Sequence, residues 1–167
     1  MSRGPGRGRV AVLVQLAALL VGFDCGPLPP PPPSANLQFS TEAFTTTSPS
    51  SFDIGVAVAT NRSLQAYDVE VRYDPARLSL TGAQAYAEFD DDGSFFQSGV
   101  DASAGTVRLV DLLHGAPSSE GTVSLAILTF TTLAPGTVVL SVDGAVAMPD
   151  GALVPIALKK TAAITIR

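Results

Sequence analysis

The chain has 167 residues, 46% of them hydrophobic and 15% charged, with a formal net charge of −5, one cysteine and no tryptophan. An acidic balance argues against a sequence-independent grip on nucleic acid, which needs a basic face to displace counterions. A single cysteine excludes an intramolecular disulfide, and the low charge with 15 Gly and 13 Pro describes a packed, turn-rich domain instead of a disordered tail.

At the N-terminus, Arg3, Arg7 and Arg9 precede an apolar run from Val10 to Val21 that only Gln15 interrupts. This is the layout of a secretory signal and is short for a transmembrane helix, so residues 1–25 read as an export segment, with a permanent N-terminal anchor as the alternative. Cys25 lies just beyond the run, before Gly26, Pro27, Leu28 and the prolines from Pro29 to Pro33. The arrangement resembles a bacterial lipoprotein, which would make Cys25 the lipidation site and the contact with a membrane a lipid anchor only. Asp24 and Gly22 stand where a good lipobox has a small residue and Leu. The other reading is an ordinary cysteine in a discarded signal or spacer. Residues 26–35 are then a proline-rich linker, extended at ~3.1 Å per residue.

From residue 36 the composition changes to short β-prone runs. Strands are expected over 37–40, 53–60, 65–73, 78–83, 106–113, 122–132, 137–142, 152–159 and 162–166, with a weaker one over 94–97. Turn chemistry fills the gaps at Asn61-Arg62-Ser63, Asp74-Pro75, Asp92-Gly93, Ala104-Gly105, Ala134-Pro135-Gly136, Asp143-Gly144 and Asp150-Gly151. Alternation assigns faces. Tyr67, Val69, Val71 and Tyr73 fall on one side of their strand and Asp68, Glu70 and Arg72 on the other, so the first set faces the core. Val56, Leu109, Leu125 and Phe130 join that core. The run 122–132 is apolar on both sides, which reads as a central or covered strand. Arg108, Val110 and Leu112 oppose Val107 and Leu109, but Asp111 shares the latter side and leaves the choice of face open.

The segment Ala66-Tyr67-Asp68-Val69-Glu70-Val71-Arg72-Tyr73-Asp74-Pro75, followed by Leu78 and Leu80, resembles the strand and turn of cohesin modules. Gly121-Thr122-Val123 through Leu128-Thr129-Phe130, then Ala134-Pro135-Gly136-Thr137, is similar to that family's long strand and following turn. Phe95-Phe96-Gln97 through Gly105-Thr106-Val107-Arg108-Leu109 falls where cohesins have their middle strands. The resemblance is collinear over residues 36–167. It implies an all-β fold, a nine-stranded antiparallel β-sandwich of jelly-roll topology related to cellulose-binding modules, and a dockerin module as partner. In cellulosomal cohesins the strand before Tyr-Asp-Pro often contributes to the partner-facing side through Asn and Asp separated by one residue. The matching positions here are Ala66 and Asp68, so the carboxylate is kept and the amide is missing, which counts against ordinary cellulosomal specificity.

Catalysis finds no support. His114 is the only histidine and adjoins a glycine, and no nucleophile elbow, metal-ligand spacing or phosphate loop is present, so neither enzyme activity nor a cofactor is expected. Glu88, Asp90, Asp91, Asp92 and Gly93 fail the EF-hand register, because Gly99 falls where the bidentate Glu belongs. They read as a solvated loop, with an irregular calcium site as the alternative. Direct polysaccharide binding is the rival to a protein partner. Sugars stack on exposed aromatics, but Tyr67 and Tyr73 point inward, leaving Tyr86, Phe95 and Phe96. The partner-binding residues expected are therefore Asp68, Glu70, Arg72 and Arg108, on an exported, non-catalytic attachment module of extracellular polysaccharide degradation or surface assembly.

Overall fold

The computed structural model describes residues 29–87, 95–113 and 117–167. The export segment, Cys25, the first linker residues, the acidic run from Glu88 to Gly93 and His114 lie outside the described residues. Twelve strand segments follow one another: β1 Ala35–Phe39, β2 Ala43–Thr46, β3 Ser51–Thr60, β4 Ala66–Arg72, β5 Leu78–Ala85 and β6 Gln97–Asp101, then β7 Thr106–Leu112, β8 Gly121–Thr132, β9 Gly136–Ala147, β10 Leu153–Val154, β11 Ile156–Lys159 and β12 Ala162–Ile166. They form two sheets, ordered β11-β1-β3-β8-β5 and β2-β12-β9-β4-β7-β6, with β10 added to β9 in the second. There is no helix among the described residues.

The sandwich expected from the sequence is present, and its details differ in ways that have physical causes. Two stretches change sheets partway. The chain leaves the first sheet after Phe39 and enters the second as β2, and it leaves the second after Val154, at Pro155, and enters the first as β11. Proline has no amide hydrogen for a ladder, so Pro155 is a natural break point. These switches raise the segment count above nine and create two parallel pairs, β1 with β11 and β2 with β12, in otherwise antiparallel sheets. β2 has no counterpart among the expected strands, because its short run of threonines around Phe44 is half exposed and carries little hydrophobic signal. The weak strand lies at Gln97–Asp101, a few residues later than 94–97.

The apparent two-sided hydrophobicity of β8 has another origin. Its register with β3 slips between Ala126 and Ser124, so Leu125 is an extra residue on β8. That bulge resets the alternation. Val123 and Leu125 before it, and Ala126, Leu128 and Phe130 after it, all point into the same core and are fully buried, while Ile127 stays partly exposed. β8 therefore lies between β3 and β5 with one face outward.

The core gathers Leu37, Val56, Val69, Val71, Tyr73, Leu109, Leu125, Phe130, Leu140 and Ile164. Tyr73 meets Phe130 edge-on with ring centroids 5.2 Å apart, and Phe52 stacks on Phe130 at 5.7 Å. The compact unit runs Pro32–Arg167. Its start overlaps the expected linker, since β1 begins at Ala35 and Asn61 ties down the chain before it. The Asn61 Oδ1 accepts from the Ser34 amide at 2.8 Å and its Nδ2 donates to the Pro32 carbonyl at 2.9 Å.

Candidate functional site

The outer face of the second sheet is built around β4. Strand alternation buries Tyr67, Val69 and Val71 and turns Ala66, Asp68, Glu70 and Arg72 outward. β7 flanks β4 on one side and β9 on the other, in antiparallel register. Ala66 stands opposite Leu112 and Ala147, Asp68 opposite Val110 and Ala145, Glu70 opposite Arg108 and Asp143, and Arg72 opposite Thr106 and Ser141. The four residues expected at the site are thus on one exposed surface.

The open question about the faces of β7 is resolved by Asp111. Its side chain is buried on the inner side, where Oδ1 accepts the Leu112 amide at 2.8 Å. Beside it, the Tyr67 hydroxyl donates to the Leu125 carbonyl at 3.0 Å. Burial, and then the charge of Asp111, push the Tyr67 phenol well above its usual range. Arg108, Val110 and Leu112 consequently face outward with the β4 row.

The surface has two unlike ends. At the charged end, Arg108 holds Asp68 in a bidentate pair, Nε to Oδ1 at 2.8 Å and Nη2 to Oδ2 at 2.5 Å. The Arg108 hydrogen bonds hold the Asp68 carboxyl below its ordinary value, against a smaller opposing effect of burial. The Arg72 Nε donates to Glu70 Oε1 at 2.7 Å. Lys159 reaches Asp143 at 2.6 Å and Lys160 reaches Glu42 at 2.8 Å. The Lys159 hydrogen bond, then the Gly144 amide, lowers the Asp143 carboxyl. All these side chains are more than a third exposed, so water screens the pairs and they add little to stability. A cleft between them is lined by Glu70, Arg72, Ser141, Asp143, Lys159 and Lys160.

At the other end, Ala66, Phe95, Val110, Leu112, Ala147 and Leu153 line a shallow apolar groove. Leu112 is 41% exposed, Phe95 49% and Leu153 68%. Large apolar side chains gathered on a surface, bordered by charges, are the composition of an interface core with its rim. Half of this groove escapes sequence reasoning. Asp143-Gly144 reads as a turn, yet β9 continues through it to Ala147 and β10 pairs alongside, bringing Ala147 and Leu153 to Leu112. The signal lies in the every-second-residue series Val138, Leu140, Val142 and, past Gly144, Val146. Lys159 and Lys160 are missed because β11 belongs to the opposite sheet, and only its last residue and the turn to β12 reach this face.

Gly144 is what lets β9 pass. It has φ +149°, and a Cβ there would stand 2.3 Å from the Asp68 carbonyl oxygen and 2.6 Å from the Val69 Cα. A glycine at this point allows β9 to press against β4 behind the charged row.

The aromatic residues separate. Tyr67 and Tyr73 are buried. Tyr86 and Phe96 line a groove with Gln84 and Ile127, distinct from the one that holds Phe95. Among the described residues, no group of three or more His, Cys, Asp or Glu is placed to hold a metal ion.

The cohesin domain family matches residues 39–166. Among solved structures, the chain is similar to the sixth cohesin of scaffoldin B from Acetivibrio cellulolyticus, crystallised with a Cel5 dockerin mutant, at TM-score 0.68 and 15% identity over 80% of this chain and 99% of that one. It is similar to the OlpA cohesin of a type I cohesin–dockerin complex from Clostridium thermocellum at TM-score 0.68 and 12% identity, covering 80% and 99%. A non-cellulosomal cohesin from the archaeon Archaeoglobus fulgidus matches at TM-score 0.62 and 15% identity, covering 81% and 90%. No curated protein sequence matches the chain. Structural likeness at these identities carries the fold, and the family match over most of the chain carries membership: the protein belongs to the cohesin family.

Proposed function

We propose that the chain is a non-catalytic attachment module that binds a dockerin-type protein module through the outer face of β4, β7 and β9. The observation that carries this reading is the contiguity, on one exposed sheet face, of an apolar groove and a row of ion pairs. An interface needs a desolvated centre for affinity and a charged border for orientation and encounter rate. The groove at Phe95, Leu112 and Leu153 supplies the first, and Asp68, Glu70, Arg72 and Arg108 supply the second. Arg108 and Asp68 act as one unit, so removing either leaves the other unpaired against the partner.

The N-terminal segment adds placement to the proposal. Residues 1–25 direct export, Cys25 carries a lipid, and the proline tract spaces the domain from the membrane, in an assembly devoted to polysaccharide breakdown or surface attachment. Mass spectrometry of the mature N-terminus tests this: a lipidated Cys25 is expected, with Cys25→Ser released or unprocessed, and a mature chain beginning after Cys25 removes the anchor.

Binding is tested by passing a panel of dockerin modules over the immobilised chain and its Asp68→Ala, Arg72→Ala and Arg108→Ala variants, with circular dichroism as the folding control. At least one module should bind wild type, and the variants should lose about tenfold or more in Kd if their charges are desolvated in the complex. Undiminished binding by all three removes this face. Binding to insoluble cellulose or chitin that Tyr86→Ala abolishes would replace the protein partner with a glycan.

A further inference from the structure

From Pro32 to Arg167 the sequence holds seven Lys and Arg against fourteen Asp and Glu. Four of those seven cations, Arg72, Arg108, Lys159 and Lys160, belong to the charged end of the β4–β7–β9 face, paired with Asp68, Glu70, Asp143 and Glu42. The remainder of that stretch carries three cations and ten carboxylate side chains. Among the described residues outside the face that leaves three cations, Arg62, Arg77 and Arg167, against six carboxylates, so the charged end is close to neutral while the rest of the described surface is net negative. Among the described residues, an approaching anionic group meets its least unfavourable charge balance at this end of the face.

The four cations are not equally available. Arg108 commits Nε and Nη2 to the two oxygens of Asp68, a closed fork. Arg72 commits only Nε to Glu70, Lys159 makes one contact to Asp143, and Lys160 makes one to Glu42. A guanidinium carries five N–H donors and an ammonium three. Arg72, Lys159 and Lys160 thus keep donors to spare, and all three border the same cleft, together with Ser141, Thr161 and the carboxylates Glu70 and Asp143 that Arg72 and Lys159 already partly neutralise.

We infer that this cleft is a subsite for a carboxylate of the protein partner, one or two Asp or Glu side chains held by Arg72, Lys159 and Lys160. The inference rests on the reading of the face as the docking surface. The apolar groove begins at Ala66 and the cleft lies at Arg72, six residues along β4, or about 20 Å at the rise of a strand. A helix of about 13 residues spans that distance. A partner helix with carboxylates at one end and apolar side chains at the other satisfies both regions at once. Laid the opposite way, it would bury carboxylates against Leu112 and Leu153, a costly arrangement without partners. Docking therefore runs in one direction. An acidic polysaccharide would fill the cleft and leave the groove empty, which favours a protein.

The test is a nuclear magnetic resonance titration of the full chain, 15N-labelled and at low salt, with hexaglutamate as the probe and oligogalacturonate as the comparison. Saturable shifts are expected at Arg72, Ser141 and residues 159–161. Binding should weaken at least fivefold in the double variant Lys159→Gln, Lys160→Gln and persist in Arg167→Gln, which removes a cation from elsewhere. Shifts that are absent, spread over the whole surface or indifferent to the double variant overturn the subsite. Oligogalacturonate binding more tightly than hexaglutamate at the same residues overturns the assignment to a protein. A dockerin panel run in parallel separates the two readings. Equal binding by wild type and the double variant sinks the subsite and leaves the docking face standing. Hexaglutamate bound in the cleft of a chain that no dockerin recognises sinks the docking reading.

Discussion

The two outer faces of the sandwich are made by the same alternation and present opposite surfaces. The first sheet turns outward Asn36 and Gln38 from β1, Ser51, Asp53, Gly55, Ala57 and Ala59 from β3, and Ser124, Thr129 and Thr131 from β8. Its polar groups are satisfied sideways: Ser51 and Thr131 hydroxyls meet at 2.9 Å, and the Thr129 hydroxyl donates to Asp53 at 2.7 Å. The large apolar residue on that face of β8, Ile127, is only partly exposed and lies toward the β5 edge, in the groove with Tyr86 and Phe96. The second sheet instead displays Leu112 and Leu153 at one end and ion pairs at the other. The inner residues of both sheets are dictated by the core they share. The outer residues are not, and the joining of exposed apolar anchors to ion pairs on the second sheet, against mostly cross-linked polar groups on the first, is the ground for proposing the second as the docking surface.

The largest expected effect comes from crossing from outer to inner on one strand. Val71→Asp buries an unpaired carboxylate among Val69, Leu109 and Val142 and should cost about 4 kcal/mol or more, or abolish folding. Its neighbour Arg72→Ala, on the outer side, should stay within about 0.5 kcal/mol. Denaturant unfolding of the two variants compares them, and equal stability would mean that the faces of β4 are reversed.

Next in size is the glycine that supports the displayed face. Gly144→Ala drives a Cβ into the β4 backbone at a positive φ, so a loss of about 1–3 kcal/mol is expected. At Gly99, on the β6 edge, an added methyl group would meet nothing within 4 Å. Gly99→Ala should accordingly leave thermal stability within about 0.5 kcal/mol of wild type.

The smallest effect is electrostatic. Asp68 and Asp143 have carboxyls lowered in the folded chain by Arg108 and Lys159, respectively. Their contribution is present above the unfolded carboxyl pKa of about 4 and is lost as pH falls through the lower folded value. The stability difference between wild type and an Asp68→Ala, Asp143→Ala double variant should therefore be small at pH 7 and shrink toward zero in acid. A difference that grows below pH 4 would contradict the sign.

Much of this architecture is legible in the sequence because β4 is regular. Seven residues alternate without a break, so spacing alone assigns Tyr67, Val69 and Val71 inward and Asp68, Glu70 and Arg72 outward. β8 is legible as a strand and misleading as a surface, since one bulged residue, Leu125, turns an alternating pattern into an apparently double-sided one. The site is half legible for a similar reason. Val110 and Leu112 lie beside Arg108 in sequence, whereas Ala147, Leu153, Lys159 and Lys160 reach the face through a glycine-tolerant strand continuation and two sheet changes, which local patterns do not encode. Nor does spacing reveal that Arg108 closes on Asp68, a diagonal contact between strands.

The most direct measurement is a footprint of the complex: amide and side-chain shift changes across the labelled chain when a dockerin module that it captures is added. Docking on the β4–β7–β9 face predicts changes concentrated at Asp68, Arg72, Val110, Leu112, Ala145 and Leu153, with Ala57, Ser124, Thr129 and Thr131 unaffected. A footprint centred on β3 and β8, leaving Leu112 and Leu153 unchanged, would contradict it.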